Sequence, residues 1–404
     1  SATKDDATRT AMAAKQTKHV IPTVSSSPVL ISNGLEETVR FHLSSDFAAN
    51  ADEDGEVIDI NDKHKILVVK YKSGKTRAID LSNHIVKNGA GGFYLPNELV
   101  SDLKVGDKFK KGDVLAMHKN FFSKNSFNGT RMNVGPLVKV ACMSSYNTYE
   151  DTGFITEAVS EKLATEMVFK TTVVIGKNAT VDYISHLNEK VSIGDPLVVF
   201  DTSFGESEVN KFLSGLSEEN KAIVNEHGKT NIKSKYAGVI SDIKMFSTVE
   251  VDELSPTLQT IVKDYYKKVE SKRNYLNKFS DKESINKAGI LYTESIEPVK
   301  PNQYGVLRGE KIDEGVLLEI YISYKDVMGV GDKGAHFSAL KFVVGEIIPN
   351  GYEPYSLYRP DEPIGTMFAN NGVLKRMTPS VIVNMFGNKC IVEHKRKLKE
   401  IFFS

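Results

Sequence analysis

Only two cysteines, Cys142 and Cys390, occur in the 404 residues of this chain. Two thiols supply neither a disulfide framework nor, alone, a four-ligand zinc site, so the sequence predicts an intracellular, reducing setting. Net charge is lacking as well, because Lys+Arg and Asp+Glu both number 52. Without a chain-wide basic field nothing drives unspecific nucleic-acid binding, and any such contact has to be local or shared with a partner. No apolar run approaches the roughly 18 residues of a membrane span and nothing resembles a signal peptide, so a soluble, cytoplasmic protein without membrane contact is expected. The chain also has no Gly-x-x-x-x-Gly-Lys-Ser/Thr loop, no Gly-x-Gly-x-x-Gly, no His-Glu-x-x-His and no Gly-x-Ser-x-Gly, and its nine histidines show no metal-ligand spacing. These absences argue against a self-contained nucleotide hydrolase or zinc enzyme.

What remains is an ordinary core-forming composition, 40% hydrophobic and 26% charged, in a chain long enough for two or three domains. It starts at Ser1 without methionine, which reads as processing, a split gene or trimming. Short strands with turn signals dominate. Lys65 to Leu81 reads as a hairpin turning at Lys72-Ser73-Gly74-Lys75, with Arg77, Ile79 and Leu81 alternating outward. A Gly-Asp pair between apolar strands recurs at Gly106-Asp107, Gly112-Asp113, Gly194-Asp195 and Gly331-Asp332; the first three read as tight connections in compact β modules. Ser255 and Pro256 open a long helix with apolar positions from Leu258 to Phe279 and a basic face of Lys263, Lys267, Lys268, Lys272 and Arg273. Shorter helices are expected near Thr156 to Phe169, near Glu206 to Leu213 and, as a basic amphipathic stretch, at Glu393 to Phe403. No low-complexity linker separates these parts, so the domains are expected to interdigitate.

Chemistry is most visible in Lys333, Lys341 and Arg376, fixed cations on short segments between apolar runs that would hold several phosphates at once. Ordinary solvated surface charge is the alternative. Two acidic clusters accompany them. Asp52, Asp54 and Glu56 alternate in a way that suits oxygen ligation of magnesium, or a solvated turn. Glu150-Asp151 precedes an apolar segment and also suits a helix N-terminus.

Motifs in one order then carry a resemblance. Asp5-Asp6-Ala7-Thr8-Arg9-Thr10-Ala11-Met12 to Pro22, Val140-Ala141-Cys142-Met143, Asn147 to Asp151 with Ile155-Thr156-Glu157, Gly331-Asp332-Lys333 with Lys341, and Gly372-Val373-Leu374-Lys375-Arg376-Met377 resemble segments of the β subunit of multisubunit DNA-directed RNA polymerases. The resemblance covers roughly 1 to 170 and 185 to 385 and corresponds to the C-terminal half of that subunit, like one piece of a split β subunit of the giant-bacteriophage type. It implies a mixed α/β, β-rich fold: a double-psi β-barrel catalytic half, sandwich-barrel hybrid β modules and a flap-like insertion. The implied division is 1–45 and 126–170 in the catalytic region, 46–125 as a sandwich-barrel hybrid, 171–300 as a reduced flap-like module with the long helix, and 301–404 as the remaining barrel segment and C-terminal helix.

The same resemblance implies roles. Lys333 and Lys341 would contact the RNA 3′ end and the reacting phosphate, and Arg376 and Arg9 the β and γ phosphates. Glu150 and Asp151 would lie near the second, nucleotide-borne magnesium, and Lys15 and His19 match positions near the RNA/DNA hybrid, differing there in residue type. Magnesium (Mg2+) itself would be held mainly by a partner, with no metal ligand directly in this chain. The Asp52 cluster imitates the metal loop of the large catalytic subunit but lacks that loop's flanks, and is expected to be a solvated turn. Implied partners in the hetero-oligomer are a β′-like catalytic subunit or its fragments, an N-terminal β fragment, DNA template, RNA product and NTPs; the implied location is host cytoplasm, with the virion as a second one. The chain departs from the family at Phe337-Ser338-Ala339-Leu340, where an arginine-containing run is expected, and at Leu374-Lys375, where Pro-Ser is expected. The leading reading is an RNA polymerase subunit inactive alone. The alternatives are a non-catalytic transcription or assembly module that keeps the β fold, and a self-sufficient nucleotidyltransferase using Asp52, Asp54 and Glu56.

Overall fold

The repeated Gly-Asp pairs are one turn used four times. Gly106, Gly112, Gly194 and Gly331 have φ of 92°, 86°, 92° and 94°, a left-handed backbone that glycine adopts without steric cost. In each case the aspartate carboxylate accepts the backbone N–H three residues back: Asp107 from Lys104 (2.8 Å), Asp113 from Lys110 (2.7 Å), Asp195 from Ser192 (2.7 Å) and Asp332 from Gly329 (2.8 Å). Each turn then docks on a neighbouring segment by two backbone bonds. The glycine N–H donates to a partner carbonyl, and the partner's N–H donates to the aspartate carbonyl. The partners are Val57, Ala51, Ser234 and Val344 respectively.

These turns belong to a β-rich, mixed α/β chain seen in a computed structural model that describes residues 2–17, 19–32, 34–87, 94–125, 129–146, 148–201, 229–279, 296–299, 314–336, 339–375 and 379–403. Two compact units form from alternating segments. One comprises Ser1–Asn50, Met117–Glu166 and Lys325–Ser404, the other Ala51–Ala116 and Met167–Tyr324.

The first unit centres on a five-stranded mixed sheet in the order Val140–Cys142, Thr366–Phe368, Thr152–Thr156, Leu340–Ile348, Lys333–His336. Two neighbouring pairs are parallel and two antiparallel. The Thr152–Thr156 strand has a sheet partner on each side, and Gly153 to Thr156 are all buried, as expected for an interior strand. Gly153 is required by close approach: a Cβ there would lie 2.7 Å from the Met367 carbonyl oxygen. Ile155, Val159, Phe342 and Val344 form the core beneath, joined by Val138, Leu163, Met328 and Ile347. Thr156 caps the helix Glu157–Lys162, its hydroxyl accepting from Val159 N at 3.4 Å. The expected helix to Phe169 stops at Lys162, and Thr165–Gly176 is a strand, consistent with its run of Thr and Val residues. The stretch Glu206 to Leu213 lies outside the described residues. The basic C-terminal stretch is the end of a longer helix, Pro379–Phe403.

In the second unit the Ile66–Tyr71 and Thr76–Asp80 strands form the expected hairpin, with Gly74 at φ 87°. Ile79, expected to face outward, is only 5% exposed. The hairpin is covered on both faces, Ile66 through Val69 being fully buried. The long helix runs Pro256–Leu276, with the Ser255 hydroxyl accepting from Leu258 N at 3.4 Å. Its first half packs Leu258 and Val262 among Ile175, Leu197, Leu318 and Ile320, and its end packs Tyr275 and Leu276 on Ile66 and Val68. Its basic face is partly committed: Lys263 pairs with Asp252 (3.3 Å), Lys267 with Asp264 (3.3 Å) and Lys272 with Asp80 (3.0 Å). Among the described residues no helix is long and apolar enough to cross a membrane.

His336 completes the first unit's core. It stacks on Phe342 with ring centroids 4.6 Å apart and lies 5.1 Å from Phe368. The residue keeps partial exposure, but Nε2 is covered and has no hydrogen-bond partner among the described residues. Burial therefore pushes the imidazole down to about 4.

Two stability predictions follow from these contacts. Gly153→Ala forces Cβ against a backbone carbonyl that cannot rotate away, and should cost roughly 1–3 kcal/mol in chemical denaturation. For His336 the folded value lies below the ordinary one of about 6.5, so the unfolded chain takes up the proton first. Its contribution is fully present above pH ~6.5 and is lost as pH falls toward 4, by about 3 kcal/mol at most. In urea unfolding across that window, the stability gap between wild type and His336→Phe should shift in favour of the variant as pH falls; a gap independent of pH would refute the assignment.

Candidate phosphate-binding site

Lys333 and Lys341 stand on the two strands of one hairpin. The register pairs Lys333 with Val343 and Ala335 with Lys341, so the lysines are diagonal neighbours on the same face. Such a placement sets Cβ atoms about 7–8 Å apart, within reach of one anion for long side chains. Opposite faces of this hairpin differ sharply: Leu340, Phe342 and Val344 are buried, whereas both lysines are exposed. Neither ammonium group has a hydrogen-bond or ion-pair partner among the described residues. Lys333 is aimed by the Gly331-Asp332 turn, which is pinned to Val344 by bonds of 2.8 and 2.9 Å.

The acidic pair arrives beside this hairpin at the start of the Thr152–Thr156 strand. Asp151 C=O accepts from Val343 N at 2.8 Å, two residues beyond Lys341. Glu150 has φ 51°, an uncommon conformation for a residue with a side chain, within a turn closed by Thr152 N donating to Tyr149 O at 3.0 Å. Helix capping does not account for the pair, because Thr156 performs that task. Instead Glu150 Oε1 accepts from Lys375 Nζ at 2.9 Å, with the side chains 55% and 65% exposed. The hydrogen bond and charge of Lys375 hold the Glu150 carboxyl below its ordinary value, and Glu150 raises Lys375 in return.

Lys375 follows the short helix Asn371–Leu374. Val373 in that helix packs with Leu340, Phe368 and Val381, with Val140 and Met385 alongside. One apolar cluster thus ties the lysine hairpin, the short helix and the C-terminal helix together. Gly372 lies against the acidic segment, its Cβ position 3.4 Å from the Glu150 carbonyl oxygen. In the sequence Lys375 is a departure at a motif position, beside Arg376. Its partner lies 225 residues away along the chain, and no local pattern announces the pair.

The remaining expected site residues are less tightly gathered. Arg376 lies outside the described residues. Arg9 sits on the helix Ala2–Thr17, which touches the helix Pro379–Phe403; it is half-buried, and its Nε is covered without a partner among the described residues. Lys15 and His19 are exposed. No hydrogen bond or ion pair among the described residues joins Arg9, Lys15 or His19 to the lysine hairpin. In the second unit Asp52 pairs with Arg77 (3.3 Å), and Asp54 pairs with Lys72 (2.8 Å) and accepts from Lys111 N (3.0 Å). Both Asp54 oxygens and Asp52 Oδ2 are thus engaged by cations or a backbone donor.

No group of three or more His, Cys, Asp or Glu residues able to hold a metal ion occurs among the described residues. Glu150 and Asp151 offer two carboxylates beside an ammonium group, a donor set suited to contact through water with a cation carried by a ligand rather than to direct capture from solution.

No protein-family model matches the chain. Its sequence is 26% identical over 388 residues to the DNA-directed RNA polymerase subunit beta of two strains of Thermus thermophilus, and 25% identical over 388 residues to that of Thermus aquaticus. Each match covers 92% of this chain and 29% of the relative, so the chain spans less than a third of the length of the curated relatives it matches. The similarity supports a β-subunit-like region extending over nearly the whole chain.

Proposed function

We propose that this chain is a β-subunit-like component of a multisubunit DNA-directed RNA polymerase, inactive alone, which lends phosphate-binding groups to template-directed RNA synthesis. The carrying observation is the pair of exposed lysines, Lys333 and Lys341, without partners among the described residues, on one face of a hairpin whose strand Leu340–Ile348 is bonded to the Glu150-Asp151 segment. Like charges held this close repel unless an anion lies between them, so the arrangement gains stability from a phosphate ligand. The sequence similarity to bacterial β subunits points the same way.

In this reading the mixed sheet of the first unit is the catalytic half of a double-psi barrel, the segment 46–125 a sandwich-barrel hybrid, and the long-helix region a reduced flap. RNA extension joins a 3′-hydroxyl to an α-phosphate and expels pyrophosphate, so charge has to be neutralised on the reacting and leaving phosphates. Lys333 and Lys341 bind the RNA 3′ end and the reacting phosphate, and Arg376 and Arg9 clamp the β and γ phosphates with guanidinium forks. Glu150 and Asp151 accept from water around the nucleotide-borne magnesium, which supplies Lewis-acid charge neutralisation when bound. Lys15 and His19 lie toward the hybrid. The metal-holding carboxylates come from a β′-like partner, and an N-terminal β fragment, DNA, RNA and NTPs complete the hetero-oligomer, as in a split polymerase of giant-bacteriophage type.

Lys341→Ala in the reconstituted complex should slow elongation about 100-fold while leaving assembly intact, the scale expected when one transition-state contact to phosphate is removed. Unchanged elongation with normal assembly would instead favour a non-catalytic module that keeps the β fold. RNA synthesis by the purified chain with magnesium alone would overturn the proposal altogether.

A further inference from the structure

Lys375 and Glu150 form a pair of opposite charges in contact beside the lysine hairpin. Both are more than half exposed, so their bond at 2.9 Å is a surface ion pair, screened by solvent and easily exchanged. What surrounds the pair is less ordinary. Glu150 is held at φ 51° by the Tyr149–Thr152 turn, its carbonyl lies against the side-chain-free face of Gly372, and the adjoining Asp151 carbonyl is bonded to Val343. Backbone held in an uncommon conformation from several sides is a feature of ligand sites. Lys375 is placed as firmly, its N–H donating to Asn371 O at 3.0 Å and its helix anchored through Val373 on Leu340 and Phe368. Both groups are therefore fixed at the backbone while their charged ends stay free to change partners.

We propose that Lys375 and Glu150 are an exchange pair for a polyphosphate chain carrying a divalent cation: the ligand opens the pair, its phosphate taking Lys375 and its hydrated cation taking Glu150. The inference rests on the polymerase reading above and deepens it, adding Lys375 as a phosphate-binding residue and giving Glu150 a resting partner. A phosphate group and its cation arrive together with charges opposite to those of the pair, so each side chain trades one charged partner for another and no ion is left unpaired. Polyphosphate without its cation would satisfy Lys375 but leave Glu150 as a repelling neighbour. The pair therefore favours the metal-loaded ligand over the bare one, a selectivity that two lysines alone would not give.

The test is calorimetric titration of the full chain with inorganic pyrophosphate, with and without saturating magnesium. Lys375→Met should weaken binding about tenfold in both conditions, as for loss of a hydrogen bond between charged groups. Glu150→Gln should tighten binding of bare pyrophosphate roughly three- to fivefold and weaken binding of the magnesium complex, so the effect of one substitution reverses sign with the metal. Because both side chains are exposed, unchanged thermal melting of the two variants serves as the folding control. No measurable pyrophosphate binding by the wild-type chain, or a Glu150→Gln effect of the same sign in both conditions, overturns the exchange pair. Lys333→Ala and Lys341→Ala separate the two ideas. If they abolish binding while the Glu150 and Lys375 variants do not, the pair fails and the polymerase reading stands; if all four leave binding unchanged, both fail.

Discussion

Three backbone hydrogen bonds at two adjacent residues hold the candidate site together. Val343 N–H reaches Asp151 C=O, Val344 N–H reaches Asp332 C=O, and Val344 C=O receives the N–H of Gly331. Through them a single strand fixes the acidic segment on one side and the turn that aims Lys333 on the other. Peptide bonds suit this task because their geometry is rigid and directional, whereas the charged side chains they position are long and hydrated. The strand can serve both sides because its own side chains divide cleanly. Leu340, Phe342 and Val344 are buried, and Lys341 between them faces out.

The same division of labour recurs in the Gly-Asp turns. Each closes on itself through the aspartate carboxylate and onto a neighbour through two backbone hydrogen bonds, so it needs no particular flanking side chains. Three of the four belong to the second unit. The fourth has the same geometry, and Lys333 directly follows it. A structural turn is thus used as a mount for a charged group, which is why its sequence reads equally well as scaffold and as site.

Much of the local structure was legible because it depends on near neighbours. Ser255-Pro256 marks the long helix, Gly74 the hairpin, and each Gly-Asp pair its turn, all through bonds spanning a few residues. The eight-residue spacing of the two lysines was visible too, but the antiparallel register that puts them on one face was not. Legibility failed where distant contacts decide. Ile79 is buried because its hairpin is covered on both faces, which local pattern does not reveal. The partnership of Lys375 with Glu150 was invisible for the same reason, and Arg376, a central expectation, lies outside the described residues.

Charge bookkeeping around the hairpin explains why such a site need not be complete within one chain. Lys333, Lys341 and Lys375 supply three positive charges, and Glu150 and Asp151 two negative ones, with Glu150 paired to Lys375. This set can attract a phosphate chain, yet among the described residues it has no cluster of carboxylates able to bind a free divalent ion. Adding such a cluster would neutralise the lysines and weaken the hold on phosphate. Dividing cations and metal-holding carboxylates between two protein surfaces avoids that cancellation, because the opposing charges then meet only across the ligand. Both lysines are exposed while the opposite face of their hairpin is buried, so the hydrophobic side supplies rigidity without desolvating the charges.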